Sequence, residues 1–184
     1  IFPWYNPGEP ILWWSPDPRL VLFPDKLIVS RRLRKTLRKN IFSVTFDLAF
    51  SEVIAACAEP RKESASTWIT ENIAEAYKEL HQSGFAHSAE AWLDGELVGG
   101  LYGVALGRVF FGESMFHTRT DASKVVFATL VEQLVAWDYQ LIDCQVHTKH
   151  LASFGAENCP RSYFVKLLDQ YCDIPANKSA WHIK

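Results

Sequence analysis

The sequence predicts an α/β protein in which helices flank a mixed sheet, and three observations carry that reading. Segments with apolar residues three to four apart, the spacing of one helix face, alternate with shorter segments of period two, the mark of half-buried strands. Two of the period-two runs, His87 to Leu93 and Glu96 to Ala105, are separated only by Asp94-Gly95, a strong local signal for a two-residue hairpin turn. The composition is that of a folded chain: 48% of the 184 residues are apolar and 22% are charged. A chain of this length buries about two-thirds of its unfolded surface and needs no disulfide or metal staple.

The elements follow in order. The first 24 residues hold six of the nine prolines and three of the seven tryptophans. Each proline biases its predecessor toward extended geometry, so Trp13-Trp14-Ser15-Pro16-Asp17-Pro18-Arg19 is expected to run extended, over a core or along a cleft. Lys26 to Val29 is expected to be a short strand. Ser30 is placed to cap a helix to about Lys39, with Leu33 and Leu37 one turn apart on one face. A strand, Phe42 to Phe46, leads to a helix from about Asp47 to Ala58 with Val53, Ile54 and Cys57 inward. After a polar loop over 59–66, a second helix follows Thr70 and stops at Gly84, a residue suited to a helix C-terminus. Beyond the hairpin, Gly107 turns the chain into a third strand, Arg108 to Met115. Asp121 starts a long helix to Trp137, a short apolar strand runs from Leu141 to Val146, and a last helix follows Pro160 to about Tyr171.

Several classes are disfavoured. No run of 18 apolar residues is present and the first residues have no signal-peptide layout, so a cytoplasmic, single-core protein without membrane partners is expected. Cys57, Cys144, Cys159 and Cys172 show no C-x-x-C spacing, and with six scattered histidines they form neither a zinc ribbon nor a disulfide framework. His147-x-x-His150 has no third ligand at suitable spacing, so no metal is expected. The net charge of −2 hides an asymmetry. Six of the 19 basic residues (Arg31, Arg32, Arg34, Lys35, Arg38, Lys39) fall within residues 31–39, leaving 13 basic groups against 21 acidic ones elsewhere. One dense cationic segment on an otherwise acidic chain points to a surface that meets a polyanion. Arg31 and Arg32 lie in a first helical turn, where the dipole disfavours cations.

The element order, strand–helix–helix–three-strand meander–helix–strand–helix, resembles the N-acetyltransferase-like (GNAT) topology. Acetyltransferases of that kind hold the pyrophosphate of coenzyme A on a glycine-rich loop at a helix N-terminus. The corresponding connection here is Phe116-His117-Thr118-Arg119-Thr120-Asp121, which lacks glycine and ends on a carboxylate. A GNAT-like sheet without the coenzyme A loop must take its acyl group from another carrier.

Three segments identify that carrier by resemblance. They are Phe2-Pro3-Trp4 with Trp13 to Arg19; Phe110-Phe111-Gly112-Glu113-Ser114-Met115-Phe116; and Leu141-Ile142-Asp143-Cys144-Gln145-Val146, followed by Ser153-Phe154-Gly155-Ala156 and Pro160-Arg161. In this order and spacing, from Ile1 to about Leu168, the chain resembles the leucyl/phenylalanyl-tRNA–protein transferases. The resemblance implies transfer of Leu or Phe (and Met) from aminoacyl-tRNA to the α-amino group of proteins that begin with Arg or Lys, the tagging step of N-end-rule degradation. It implies no cofactor, a monomer, and residues 1–25 as the remnant of a small N-terminal domain ahead of a catalytic domain over 26–184. A sister leucyltransferase acting on acidic N-termini, and a non-catalytic RNA-binding module, are the alternatives. The tail from Ala176 to Lys184 follows no pattern of the family.

The resemblance puts Asp143, Gln145 and Glu113 at the reaction centre. It assigns the apolar pocket for the transferred side chain to Leu101, Phe110, Phe127, Leu130 and Ile142. Trp4 and Trp68 match positions that stack the terminal adenine of tRNA, and Arg31, Lys35, Arg38 and Lys39 match positions that contact the acceptor stem. Residue chemistry adds detail. On a regular strand Asp143 and Gln145 share one face, with Ile142, Cys144 and Val146 on the other, so Asp143 is expected to orient and polarise Gln145. A neutral amide is a poor base, so Gln145 is expected to hold the attacking amine through its carbonyl oxygen. Glu113 is expected to be a fixed anion that binds an ammonium; without the resemblance, pairing with a nearby cation would explain it. Phe110 and Glu113 face opposite ways unless a bulge at Gly112 re-aims one of them.

Overall fold

The computed structural model describes residues 1–5, 9–60 and 67–181. The chain begins with a small hairpin, β1 (Phe2–Pro3) against β2 (Trp13–Trp14), followed by β3 (Arg19–Leu22) and a 3-10 turn over Pro24–Lys26. α1 (Arg31–Lys39) is capped as expected: the Leu33 N–H donates to Ser30 Oγ at 3.2 Å, and Asn40 ends the helix in the left-handed region. β4 (Ser43–Phe46), α2 (Phe50–Ala58) and α3 (Glu71–Gln82) come next, with Thr70 Oγ1 accepting from the Ile73 N–H. β5 (Ala86–Leu93) and β6 (Glu96–Leu106) form the hairpin, whose Asp94 and Gly95 both have positive φ, the twist that suits a two-residue connection. β7 (Val109–His117), α4 (Ala122–Ala136), β8 (Leu141–Gln145), the short α5 (Lys149–Ala152), β9 (Glu157–Cys159) and α6 (Arg161–Tyr171) complete the order.

Seven strands make one mixed sheet in the order β4-β5-β6-β7-β8-β3-β9, with β7 and β8 parallel and the other neighbours antiparallel. Leu20, Leu101, Phe110, Phe127, Leu130 and Ile142 belong to the cluster under α4. On the other face, Phe50, Ile54, Tyr77 and Tyr102 pack beneath α2 and α3, and Val109, Leu141 and Phe164 pack beneath α6. This is the expected GNAT-like α/β arrangement.

The expected strand over Lys26 to Val29 is absent. The strand lies earlier, at β3, where Leu20, Val21 and Leu22 are fully buried between β8 and β9. A strand covered on both faces reads as a continuous apolar run without alternation, and the prolines around Leu20-Val21-Leu22-Phe23 hid it. β3 lies on the N-terminal side of residue 25, so the large sheet begins ahead of that position. α2 starts at Phe50 because Asp47 is a turn residue with φ 54 whose carboxylate accepts from the Ser88 N–H at 2.8 Å. Residues 61–66 of the expected polar loop and 182–184 of the tail lie outside the described residues.

Candidate active site

β7 and β8 pair only from Val109–Leu141 to Phe111–Asp143, although β7 runs on to His117 and β8 to Gln145. The two strands therefore part just beyond Asp143, and the side chains bordering that opening are the ones the sequence singled out. Each strand carries a bulge there. On β7, Tyr102 pairs with Ser114 and Gly103 with Gly112, so Glu113, next to Gly112, is the extra residue. On β8, Leu20 pairs with Gln145 and Val21 with Asp143, so Cys144 is extra and Gln145 takes φ 62. Bulges re-aim side chains and concentrate beside active sites.

The β8 bulge corrects one expectation. Beyond it the regular alternation is broken, and Val146 is exposed instead of packed. Asp143 turns inward and is fully buried, its Oδ1 and Oδ2 accepting from Arg19 Nε at 2.8 Å and Arg19 Nη2 at 2.6 Å. Asp143 Oδ1 also accepts from the backbone N–H of Gln145 at 2.9 Å. The carboxylate thus holds Gln145 through its backbone, the Asx pattern that tolerates a left-handed residue, not through its amide. That amide is engaged by another residue: Gln145 Nε2 donates to Glu113 Oε2 at 3.0 Å, bridging the opening and leaving Oε1 as its acceptor side.

Arg19 was the residue missed. It is 1% exposed, lies 124 positions from Asp143, and its guanidinium stacks between the rings of Phe2 and Phe164, 5.3 and 5.0 Å from their centroids. Its only sequence signal was an arginine at the edge of an apolar run. Tyr77 on α3 was missed as well. Burial raises its hydroxyl far above the ordinary range, so it stays protonated and donates to Glu113. Burial also pushes the Glu113 carboxyl up to about 7, although the hydrogen bonds from Gln145 and Tyr77 pull it down. Glu113 keeps a strip of accessible surface at the opening, and its hydrogen-bond partners Gln145 and Tyr77 are neutral.

The five residues assigned to the apolar pocket come together in one buried cluster on the α4 side: Leu101, Phe110, Phe127, Leu130 and Ile142. Phe110 and Ile142 are direct neighbours across β7 and β8. The Phe110 ring reaches sideways over Gly103, where an added Cβ would stand 2.5 Å from its tip. Trp4 is 56% exposed on the hairpin, and Trp68 is half-buried against the α2–α3 cluster. Arg31, Lys35, Arg38 and Lys39 are exposed on α1 and take part in no ion pair among the described residues. The other two cations of the run serve the fold: Arg34 donates to the Val29 carbonyl, and Arg32 reaches Asp121 at 3.9 Å.

At the start of α4, Asp121 has φ 66 and pairs with Lys124 Nζ at 3.0 Å. The hydrogen bond from Lys124 holds its carboxyl below the ordinary range, so the connection into α4 ends on an anion. Elsewhere, Asp47, His81 and His87 bring ligand-type atoms within 4.8 Å of one another. His87 Nδ1 bonds Asp47 at 2.7 Å and His81 Nδ1 bonds the Ala86 carbonyl at 2.8 Å, so protein partners already engage both rings. No helix among the described residues is long and apolar enough to cross a membrane.

Fold and site together define an acyl-group transferase on a GNAT-like sheet, with polar residues bridging parted strands beside a buried apolar cluster. Comparison with known proteins gives the family. Residues 21–169 match the family model for leucyl/phenylalanyl-tRNA protein transferase, and residues 1–17 match that for its N-terminal domain. The chain is 59% identical over 181 residues to the leucyl/phenylalanyl-tRNA–protein transferase of Methylococcus capsulatus, covering 98% of this chain and 77% of that protein. It is 58% identical over 182 residues to that of Nitrosomonas europaea, covering 99% and 77%. Among solved structures, L-PGS from Bacillus licheniformis superposes with a TM-score of 0.52 at 10% identity, over 73% of this chain and 49% of that one, a likeness of fold alone. This chain belongs to the leucyl/phenylalanyl-tRNA–protein transferase family and is an aminoacyltransferase.

Proposed function

We propose that the protein transfers Leu or Phe (and Met) from aminoacyl-tRNA to the α-amino group of proteins that begin with Arg or Lys. It acts as a cytoplasmic monomer in N-end-rule tagging, without coenzyme A or metal. The observation that carries this reading is the Glu113–Gln145 bridge, 3.0 Å long, across the opening between β7 and β8, whose paired stretch carries Phe110 and Ile142. The donor side chain enters the pocket lined by Phe110 and Ile142, which puts its ester carbonyl at the bridge. The neutral α-amine of the acceptor attacks that carbon, the C–N bond forms, the ester C–O bond to the tRNA ribose breaks, and the amine proton passes to the departing oxygen.

Little base strength is needed. An α-amine of pKa about 7.7–8.0 is roughly one-fifth neutral near pH 7.2, and the donor is already an activated ester. Gln145 Oε1 accepts a hydrogen bond from the attacking amine, and Glu113, half ionised near neutrality, holds an ammonium beside it. Rate then comes from positioning, which is worth several kcal/mol, on the order of 7–11 at most. Arg19 and Asp143 supply the rigidity by holding the Gln145 backbone. On the tRNA side, the exposed faces of Trp4 and Trp68 stack the terminal adenine, and Arg31, Lys35, Arg38 and Lys39 meet the acceptor stem.

The test is a peptide beginning with Arg, incubated with Leu-tRNA and separately with acetyl-coenzyme A. Leucylation with the first donor and no acetylation with the second is the expected result. Acetylation alone overturns the reading. A peptide beginning with Glu that is leucylated faster than the Arg peptide moves the protein to the sister specificity.

A further inference from the structure

Beyond residue 169, where the match to the family model ends, the chain turns back onto the α4 side of the sheet and inserts Trp181. The indole stacks on His87 with ring centroids 4.1 Å apart and planes 7° from parallel. It lies 4.9 Å from Trp137 and 5.7 Å from Phe110, the latter inclined by 28°. Its Nε1 donates to Tyr139 Oη at 2.9 Å. Trp181 has φ 63, a backbone conformation unfavourable for a bulky residue and kept only where the surroundings demand it. Its place is therefore set by the indole contacts.

Those contacts have a direction. Phe110 on β7 has Ile142 of β8 on one side. On the other side its ring crosses Gly103 of β6, and beyond Gly103 lies His87 of β5, its direct cross-strand neighbour. Trp181 sits on His87 and against Phe110, so it stands in the way of the Phe110 ring moving toward β5 and away from Ile142. The geometry points to Trp181 as a specificity-determining positioning residue: it backs Phe110 and so sets the depth of the pocket for the transferred side chain, with Tyr139 fixing the indole. The inference rests on the reading of Phe110 as a wall of that pocket. Trp181 itself does not touch the substrate.

The experiment measures kcat/KM for Phe and Leu donors, given as short aminoacyl-adenosines so that α1 plays no part. Wild type is compared with Trp181→Ala, Trp181→Phe, Tyr139→Phe and Phe110→Ala, and melting temperatures are recorded. Without the indole, Phe110 can withdraw toward His87 and the pocket deepens. The Phe-to-Leu ratio should rise about threefold or more in Trp181→Ala, less than the roughly tenfold that a whole methylene commonly produces. Tyr139→Phe should move it in the same direction, and Trp181→Phe, which keeps a stacking ring, should hold it within about twofold of wild type. If Phe110→Ala moves the ratio while Trp181→Ala and Tyr139→Phe do not, the inference fails and the pocket reading stands. If Phe110→Ala leaves the ratio unmoved, the pocket reading fails and the inference with it. Equal losses with both donors, in step with a fall in melting temperature, reduce Trp181 to support of the fold and overturn the proposal. If Trp181→Ala does not fold, the direction of change in Tyr139→Phe decides.

Discussion

Replacing Arg19 with Met tests whether the buried ion pair supports the site as well as the fold. Methionine roughly keeps the stem volume between Phe2 and Phe164 but removes both hydrogen bonds to Asp143, at 2.8 and 2.6 Å. Asp143 is fully buried, so the variant leaves a carboxylate with neither water nor counter-ion. Breaking a buried pair from one side costs about 3–5 kcal/mol. For a chain of this length, about 2–4 °C is lost per kcal/mol, so the melting temperature should fall on the order of 10 °C. The double variant Arg19→Met with Asp143→Leu separates stability from catalysis. With both charges gone the penalty disappears, and urea unfolding should recover most of the loss. Activity should not recover, because the Gln145 N–H then has no carboxylate at 2.9 Å to keep its backbone left-handed and its amide aimed at Glu113. A single variant that loses less than about 1 kcal/mol refutes the energetic argument. A double variant with near-normal kcat toward an Arg-initiated peptide refutes the link from Arg19 through Asp143 to the reaction.

Asp143→Asn or Gln145→Ala should lower kcat at least about tenfold while affinity for charged tRNA, followed by filter binding, stays nearly unchanged; near-normal turnover in both would remove them from the reaction centre. Burial raises the Glu113 carboxyl to about 7, so the anion forms as pH rises through that value and kcat/KM should climb across it. Glu113→Gln should abolish that limb and leave only the titration of the acceptor amine near about 8. The same shift means that folded Glu113 holds a proton the unfolded chain has already lost, so its contribution to stability declines as pH rises from about 4 to 7; Glu113→Gln should flatten that decline in urea titrations. Trp68→Ala should weaken capture of the adenosine end by about 1–3 kcal/mol, whereas a lower melting temperature with normal affinity would make Trp68 a packing residue only. Four phosphate contacts from Arg31, Lys35, Arg38 and Lys39 should give a slope of about −3 in log affinity against log salt. Changing all four to Ala should flatten that slope and raise KM for tRNA without affecting a short donor, and an unchanged slope would put the polyanion surface elsewhere.

Much of the fold was legible because its signals are local. Ser30 and Thr70 cap their helices through groups three residues away, and Asp94-Gly95 sets its hairpin through the φ angles of two residues. The charge run on α1 stands out for the same reason, being adjacent in sequence and exposed in the fold. Family motifs singled out Glu113 and Asp143, and the glycine beside Glu113 hinted at the bulge there.

By itself, then, the sequence determined the alternation of helices and strands, the cationic face, and the residues that border the opening. Tertiary structure alone decided what holds them. β3 could not be read because a strand buried on both faces has no alternation to detect. Arg19 could not be paired with Asp143 across 124 positions, and the left-handed turn at Gln145 follows from a bulge against β3 that exists only once the sheet has formed. Tyr77 reaches Glu113 because α3 packs on that face. Trp181 finds Phe110 because the returning tail lays its indole on His87 and Trp137. A cap or a turn is a contact between near neighbours and leaves its mark in a short window. Long-range ion pairs and aromatic stacks depend on which surfaces the whole chain brings together, and no short window records that.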